Sequence, residues 1–155
     1  GVVRHLVGGT TGEQAAADPV LQDLLGLCEP GYERKRIEQF LIESLVLVPA
    51  GARLIAAADP GVGEVLQRSQ ELADQGLRNQ VPQTRLMVSL AREMGVVGAS
   101  SFGAGWGGSV YALVPTDDAE DFASQWLQAY RDREQEAEHS STIVTRPGMG
   151  ACRLL

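Results

Sequence analysis

Between Glu33 and Gly95 the apolar positions recur with the period of an α-helix. From Glu33 onward, apolar residues recur every three or four positions, a spacing that puts them on one helix face. This stripe runs through Ile37, Leu41, Ser44, Leu45 and Val48. Pro49 is expected to kink or end the helix, because proline lacks the N–H donor and its ring clashes with the preceding turn. Proline and glycine signals predict three more helices, from Asp18-Pro19 to Leu27, from Asp59-Pro60, and from Pro82 to a stop at Gly95.

After Gly95 the period becomes that of extended chain. Residues 96–102 and 109–114 carry the β-branched and aromatic side chains typical of strands, and a helix with an apolar face follows Asp117. Residues 142–145 and 151–155 predict two further strands. Because helices precede a group of strands, the order favours an α+β fold. We expect a ferredoxin-like domain with a mostly antiparallel, four-stranded sheet covered by helices.

Charge and composition narrow the class of function. The 155 residues include 13 basic and 20 acidic side chains, which gives a net charge of −7 at pH 7. That sign is wrong for a protein that wraps nucleic acid, so no nucleic-acid partner is expected. No unbroken run of about 18 apolar residues is present, and the sequence therefore predicts no membrane partner. The chain shows no secretory signal, which favours a cytoplasmic protein.

Neither the cysteines nor the histidines predict a metal site. Cys28 and Cys152 are far apart, whereas zinc is held by clustered ligands. His5 and His139 are isolated, and both are predicted to lie at the surface. The chain begins at Gly1 rather than at Met, so we expect that a further part of the protein precedes it.

Four glycines lie within the six residues that separate the two central predicted strands. Gly103, Gly105 and Gly108 match the spacing of the dinucleotide fingerprint, but that fingerprint needs a following helix, and β-formers follow here. No Gly-Lys-Ser or Gly-Lys-Thr of a Walker loop occurs. Glycine permits positive φ and close approach by backbone or phosphate. The segment therefore predicts either a special backbone geometry or contact with a ligand or another domain.

Two neighbouring features leave alternatives open. Trp106, inside the glycine-rich segment, is either a packing residue or a contact for a ligand. Asn79 and Gln80, just before Pro82, either contact substrate or serve the helix start, where asparagine commonly caps the backbone.

Residues 98–109, with the sequence Gly-Ala-Ser-Ser-Phe-Gly-Ala-Gly-Trp-Gly-Gly-Ser, resemble the third signature of the GHMP sugar kinases in its galactokinase form. A phenylalanine usually stands in that signature where this chain has Trp106. Residues 36–40 and 79–84, and residues 110–115 and 151–154, also resemble galactokinase C-terminal halves. The resemblance covers residues 32–155, which we identify as a GHMP kinase C-terminal domain. Residues 1–31 are expected to link it to an N-terminal kinase domain.

Three positions depart from the pattern. Galactokinases commonly carry arginine and threonine where this chain has Ser100 and Phe102, and histidine where it has Gln70. These departures leave the identity of the sugar open.

The resemblance implies an ATP-dependent sugar kinase, a transferase of galactose metabolism that phosphorylates a sugar hydroxyl, at C1 of galactose. It places Gly103, Ala104, Gly105, Trp106, Gly107 and Gly108 next to nucleotide and substrate. The family's phosphate loop and catalytic aspartate and arginine motifs do not occur in these 155 residues. ATP and Mg²⁺ are therefore expected to be held mainly by the N-terminal domain, no catalytic residue is assigned here, and the chain alone is expected to be inactive. The alternative is a non-catalytic, ferredoxin-like binding or regulatory module derived from such a kinase.

Overall fold

Helices form most of the chain up to Leu113. The computed structural model describes residues 19–27, 30–135, 137–146 and 148, and it divides into two units, one ending at Leu113 and one beginning at Val114. The α-helices of the first unit are α1 (Pro19–Gly26), α2 (Tyr32–Ile42), α3 (Val48–Ala56), α4 (Val62–Leu72) and α5 (Pro82–Glu93). The proline and glycine signals are confirmed at both ends of α5, since it begins at Pro82 and the chain leaves it at Gly95 with a φ of +78°.

A π-helical turn carries the chain past Pro49. The turn, Glu43–Leu47, joins α2 to α3, and the Val48 N–H donates to the Glu43 carbonyl, five residues back instead of four. Pro49, at the start of α3, offers no N–H and would clash with the carbonyl of an ordinary α-helical turn. The wider π turn relieves both problems. The expected interruption at Pro49 thus takes the form of a π turn, and the helical backbone continues to Ala56.

The resulting helical run, Tyr32–Ala56, is long and apolar enough to cross a membrane by length and composition alone. The sequence contains no unbroken apolar run here, because Glu43 and Arg53 interrupt the apolar residues. One face of the run packs within the unit. Leu45 and Leu47 are buried there, and Glu43 Oε1 accepts a hydrogen bond from Ser69 Oγ of α4 at 2.8 Å. The run therefore contacts protein along one side, as the helices of folded domains do.

Two antiparallel strands, β1 (Gly98–Ser101) and β2 (Val110–Leu113), form a hairpin in which Ser100 faces Tyr111. Helices α4 and α5 both pack against β1. Helix α4 approaches the strand at backbone distance, since a Cβ on Gly63 would overlap the Val97 carbonyl oxygen. A Cβ on Gly98 would lie 2.9 Å from the Gly63 Cα. This close approach brings polar residues of α4 to the sheet.

The prediction of a four-stranded sheet is wrong for the part of the chain that the structure describes, where β1 and β2 alone form a sheet. Residues 142–145 are extended in sequence character but belong to no strand. A strand is defined by its hydrogen-bonded partner, and the predicted partner, residues 151–155, lies outside the described residues. The mixture of helices with an antiparallel sheet is confirmed.

The second unit contains one long helix, α6 (Ala119–Arg133), between two short 3₁₀ turns, Thr116–Asp118 and Ala137–His139. Trp126 and Tyr130 are buried, as the apolar stripe of this helix predicts. His139 is exposed, as predicted. His5, Cys28 and Cys152 lie outside the described residues.

Candidate functional site

The glycine loop, residues 103–108, connects β1 to β2. At its base the Phe102 N–H donates to the Ser109 carbonyl at 2.9 Å, which continues the strand pairing up to the loop. The backbone φ is positive at Gly103 (+63°), Gly105 (+78°), Trp106 (+64°), Gly107 (+107°) and Gly108 (+93°). Side chains strongly disfavour such angles. The prediction that these glycines serve a special backbone geometry is confirmed, and contact with a ligand stays a prediction.

Asn79 anchors the middle of this loop. Its side-chain Nδ2 donates to the Ala104 carbonyl at 2.7 Å, and its own carbonyl accepts the Trp106 N–H. A Cβ on Gly105 would lie 2.5 Å from Asn79 Nδ2 and 2.6 Å from the Asn79 carbonyl oxygen. The loop therefore lies directly on Asn79, and only glycine fits between the two bonded residues.

A chain of buried amides runs from the sheet to this anchor. Gln70 Oε1, on α4, accepts the Ser100 hydroxyl at 3.0 Å and the Ser101 N–H at 2.9 Å. Gln70 Nε2 donates to Gln80 Oε1 at 3.0 Å, and Gln80 Nε2 donates to Asn79 Oδ1 at 2.9 Å. The Thr84 hydroxyl lies 3.1 Å from Gln80 Oε1 and 3.0 Å from the Val81 carbonyl oxygen, and its one hydrogen can be donated to either acceptor. Gln70, Asn79, Gln80, Thr84 and Ser100 are each at most 7% exposed.

The structure corrects the expected role of Asn79. The N-cap of α5 is Val81, which makes no side-chain cap hydrogen bond, and both polar ends of the Asn79 side chain are engaged elsewhere. Gln70 was not singled out from the sequence as a site residue. Its signal is a polar residue on the apolar stripe of α4, four positions after Leu66 and eight after Val62.

The outer side of the loop is open. Among the described residues other than its chain neighbours, no heavy atom lies within 4 Å of a Cβ built on Gly103 or Gly108, and the nearest neighbour of one on Gly107 is Val81 Cγ2 at 3.7 Å. The Trp106 side chain is 70% exposed. The loop thus has an inner side bonded to Asn79 and an outer side with room for another molecule or domain.

A part-buried polar cluster lies beside the amide chain. Burial raises the pKa of the Tyr111 phenol, the hydrogen bond to Ser100 lowers it, and the nearby Glu43 carboxylate raises it further. Glu43 Oε1 holds Ser69, while Glu43 Oε2 is buried and has no hydrogen-bond partner among the described residues. Tyr111 therefore stays protonated near neutral pH, opposite Ser100 in the β1–β2 pair.

A cleft next to α4 and α5 is lined by Gln70 of the amide chain and by a group of charged residues. The cleft has a volume of about 620 Å³, and its charged lining residues are Glu71, Asp74, Arg85, Arg92 and Glu93. Arg85 Nε donates to Asp74 Oδ1 at 2.7 Å. A hydrogen bond from Gln67 lowers the pKa of Glu71, which also pairs with Arg68. Within the described ranges, no group of three His, Cys, Asp or Glu side chains could hold a metal ion.

Comparison with known proteins identifies relatives of this arrangement. The family model described as GHMP kinases C terminal matches residues 54–132, about half of the chain, including the amide chain and the glycine loop. The galactokinase of Mycobacterium tuberculosis is 27% identical over 145 residues, which cover 94% of this chain and 40% of that protein. The galactokinase of Mycobacterium bovis is 26% identical over 144 residues, which cover 93% of this chain and 39% of that protein.

A solved structure shares the fold. The crystal structure of Lactococcus lactis galactokinase complexed with galactose aligns with a TM-score of 0.66 at 23% identity, over 81% of this chain and 31% of that chain. The chain thus spans about two fifths of the length of the curated relatives it matches.

Proposed function

Because this chain belongs to the GHMP kinase family and carries the family's C-terminal domain, we propose that it forms the C-terminal half of an ATP-dependent sugar kinase of the galactokinase type. The proposal includes an N-terminal kinase domain of the same protein as its partner, a sugar as its acceptor and the cytoplasm as its location. The observation that carries it is the glycine loop, whose inner side is fastened to Asn79 and whose outer side is open.

The loop suits phosphoryl transfer for a physical reason. Enzymes catalyse this reaction mainly by positioning the reactants and by stabilising the charge of the transferring group. A loop of glycines lets backbone amides approach phosphate oxygens without side chains in the way. We propose that Gly103, Ala104, Gly105, Trp106, Gly107 and Gly108 line the nucleotide and substrate from the C-terminal side.

The residues present fit only part of what the cofactors require. Backbone amides of the loop suit the phosphates of ATP, whereas the described residues offer no carboxylate cluster for Mg²⁺. Mg²⁺ neutralises developing charge on phosphate oxygens during transfer. We propose that the N-terminal domain holds Mg²⁺ and most of the ATP, and that the catalytic residues lie in that domain as well.

Galactose is the proposed acceptor, with phosphorylation at its C1 hydroxyl. The support is the name shared by the Mycobacterium relatives and the Lactococcus lactis structure, each called a galactokinase. Ser100, Phe102 and Gln70, which depart from the usual pattern, all lie at or beside the sheet and the base of the loop. A panel of sugars offered to the full-length protein with ATP tests this assignment, and galactose should give the highest kcat/KM.

The decisive variant is Gly107→Val in the full-length protein. Gly107 has a φ of +107° and only an ordinary contact with Val81, so valine should distort the loop's outer side while the unit stays folded. We expect kcat to fall or KM to rise strongly, with an unchanged circular dichroism spectrum. Gly148→Val is the matched control, since no atom of another described residue lies within 4 Å of a Cβ at Gly148, and it should retain normal kinetics.

Three outcomes would contradict the proposal. Normal kinetics in Gly107→Val would remove the loop from the reaction centre. Phosphorylation by the isolated 155-residue chain would show that the catalytic groups lie within it. Absence of any ATP-dependent phosphorylation by the full-length protein would favour the non-catalytic module.

A further inference from the structure

We propose that Gln70 is a positioning residue for the glycine loop, acting through Gln80 and Asn79 on the backbone of Ala104 and Trp106. The inference rests on the proposed function only for its effect on phosphoryl transfer. The positioning itself concerns contacts within this chain and can be tested without turnover.

The amides of the chain all point the same way. Each NH₂ group donates to the next oxygen, from Gln70 to Gln80, from Gln80 to Asn79, and from Asn79 to the Ala104 carbonyl. Ser100 and Ser101 determine the orientation at the sheet end, because both donate to Gln70 Oε1. Turning one amide over would face oxygen against oxygen. The orientation chosen at the sheet is therefore transmitted to the loop, and aligned bonds of this kind strengthen one another.

Water has little access to repair a break in this chain. Gln70, Asn79 and Gln80 are 7%, 7% and 6% exposed. A donor or acceptor that loses its partner at such a site stays unsatisfied or drags its neighbours into a new arrangement. Loss of the Gln70 donor should consequently be felt at Asn79, although the two residues lie on different elements.

The position of the glycine loop depends on Gln70, at the opposite end of the amide chain. Among the described residues, the hydrogen bonds of Ala104 and Trp106 both lead to Asn79, one to its side chain and one to its carbonyl. Gly105, between them, has no room to move toward Asn79. The position of the loop is thus determined by Asn79, and the side-chain amide of Asn79 is held by Gln80 and, through it, by Gln70.

The test uses the full-length protein and three variants of Gln70 and its neighbourhood. Gln70→Glu keeps the acceptor for Ser100 and Ser101 and removes the donor to Gln80, and protonation of the new carboxyl restores a donor. Gln70→Met removes both functions and cannot be restored by acid. Gln75→Glu introduces the same charge at an exposed position on the following π turn, Ala73–Leu77, and is the matched control.

Other ionisable groups lie near position 70 and share its electrostatic environment. They are Glu71 on α4 itself, Glu43 on the neighbouring π turn, Tyr111 on β2, and Arg92 and Glu93 on α5. The wild type and Gln75→Glu, measured at every pH, report their contribution, so the recovery specific to Gln70→Glu can be isolated.

The measurement is hydrogen exchange of the Trp106 backbone amide, normalised for the intrinsic effect of pH. At about pH 8 this amide should exchange about tenfold faster in Gln70→Glu and Gln70→Met than in the wild type, because the anchor has lost a buried donor. At about pH 5.5, protection should return in Gln70→Glu alone, since burial raises the pKa of a carboxyl into this range. Gln75→Glu should match the wild type throughout.

Unchanged protection in both Gln70 variants would overturn the proposal. Loss of protection in Gln70→Glu without recovery in acid would also overturn it, because packing and not the amide donor would then hold the loop. If the Gln70 variants do not fold, Asn79→Asp replaces them: it removes the donor to Ala104 at the loop end and should show the same loss and acid recovery.

Kinetics separate this inference from the proposed function. With both correct, Gln70→Glu lowers kcat about tenfold at pH 8 and changes KM for ATP less, because positioning acts chiefly in the transition state. Partial recovery of kcat should follow protonation. Altered Trp106 protection with unchanged kcat and KM would support the positioning and overturn the placement of the loop at the reaction centre.

Discussion

Gly103 and Gly105 lie two positions apart in one loop, with similar φ angles of +63° and +78°, yet they are glycine for different reasons. Gly105 lies against Asn79, where a Cβ would come within 2.6 Å of three atoms of that residue. In the part of the chain that the structure describes, no residue beyond the chain neighbours of Gly103 lies within 4 Å of a Cβ at that position. The backbone path alone requires glycine at the first site, whereas the path and the anchor both require it at the second. A loop built this way is fixed on one side and free on the other.

The pair Gly105→Ala and Gly103→Ala tests this distinction directly. Gly105→Ala should lower the free energy of unfolding by about 3 kcal/mol, from overpacking against Asn79 and an unfavourable φ. Gly103→Ala, which meets only the φ penalty, should cost about 1 kcal/mol. Urea unfolding of both variants measures the difference. Equal losses would mean that Asn79 yields without cost and does not anchor the loop.

A second pair compares a buried amide of α4, Gln70, with a part-buried one, Gln67. Gln70→Leu leaves the Ser100 hydroxyl and Ser101 N–H without their acceptor and should cost about 2 kcal/mol. Gln67→Leu removes only the part-buried hydrogen bond to Glu71, whose two partners can turn to solvent, and should change stability by less than about 0.5 kcal/mol. The same urea titration measures both. Equal losses of stability in the two variants would show that the hydrogen bonds of Gln70 stabilise the fold no more than that of Gln67.

The stability of the protein at alkaline pH tests the contribution of Tyr111, which lies at the sheet end of the amide chain. Burial raises the pKa of Tyr111, so the folded protein holds this proton more tightly than the unfolded chain does. The contribution is fully present below the unfolded pKa of about 10 and is lost as pH rises through the folded pKa. Tyr111→Phe should reduce the fall of stability above about pH 10, by at most about 1.4 kcal/mol per pH unit. Burial also raises the pKa of Tyr130, so part of the fall of stability with pH should remain in this variant. An unchanged pH dependence in Tyr111→Phe would mean that the pKa of Tyr111 is not raised by folding.

Local signals predicted the helices well and the anchor poorly. Pro82 and Gly95 bound α5 because proline and glycine restrict or permit the backbone at single positions. The amide chain joins Gln70 to Ser100, thirty residues apart, and no periodicity marks such a partner. The neighbours of Asn79 along the chain indicate either a helix cap or a substrate contact, whereas its side-chain amide bonds to the loop.

The sheet shows the same limit of local evidence. Residues 98–101 and 110–113 pair as predicted because a short connection brings them together. Residues 142–145 have a strand-like composition without a strand in the described chain, since composition does not specify a partner. The glycine loop could be predicted from the sequence because glycine is the residue type that readily adopts positive φ angles.

The smallest effects are expected on the exposed face of the run Tyr32–Ala56. Phe40, Val48 and Ile55 are 56%, 59% and 63% exposed there, whereas Leu47 on the packed face is 7% exposed. In the 155-residue chain, Ile55→Thr should change the free energy of unfolding by less than about 0.5 kcal/mol, and Leu47→Ala should cost about 3 kcal/mol. Chemical unfolding of both variants measures this contrast. The same Ile55→Thr in the full-length protein should cost more if the proposed N-terminal domain covers this face, because burial makes each lost apolar contact count. An equally small effect of Ile55→Thr in both proteins would mean that this face stays exposed to solvent. The N-terminal domain would then contact another surface, such as the open side of the glycine loop.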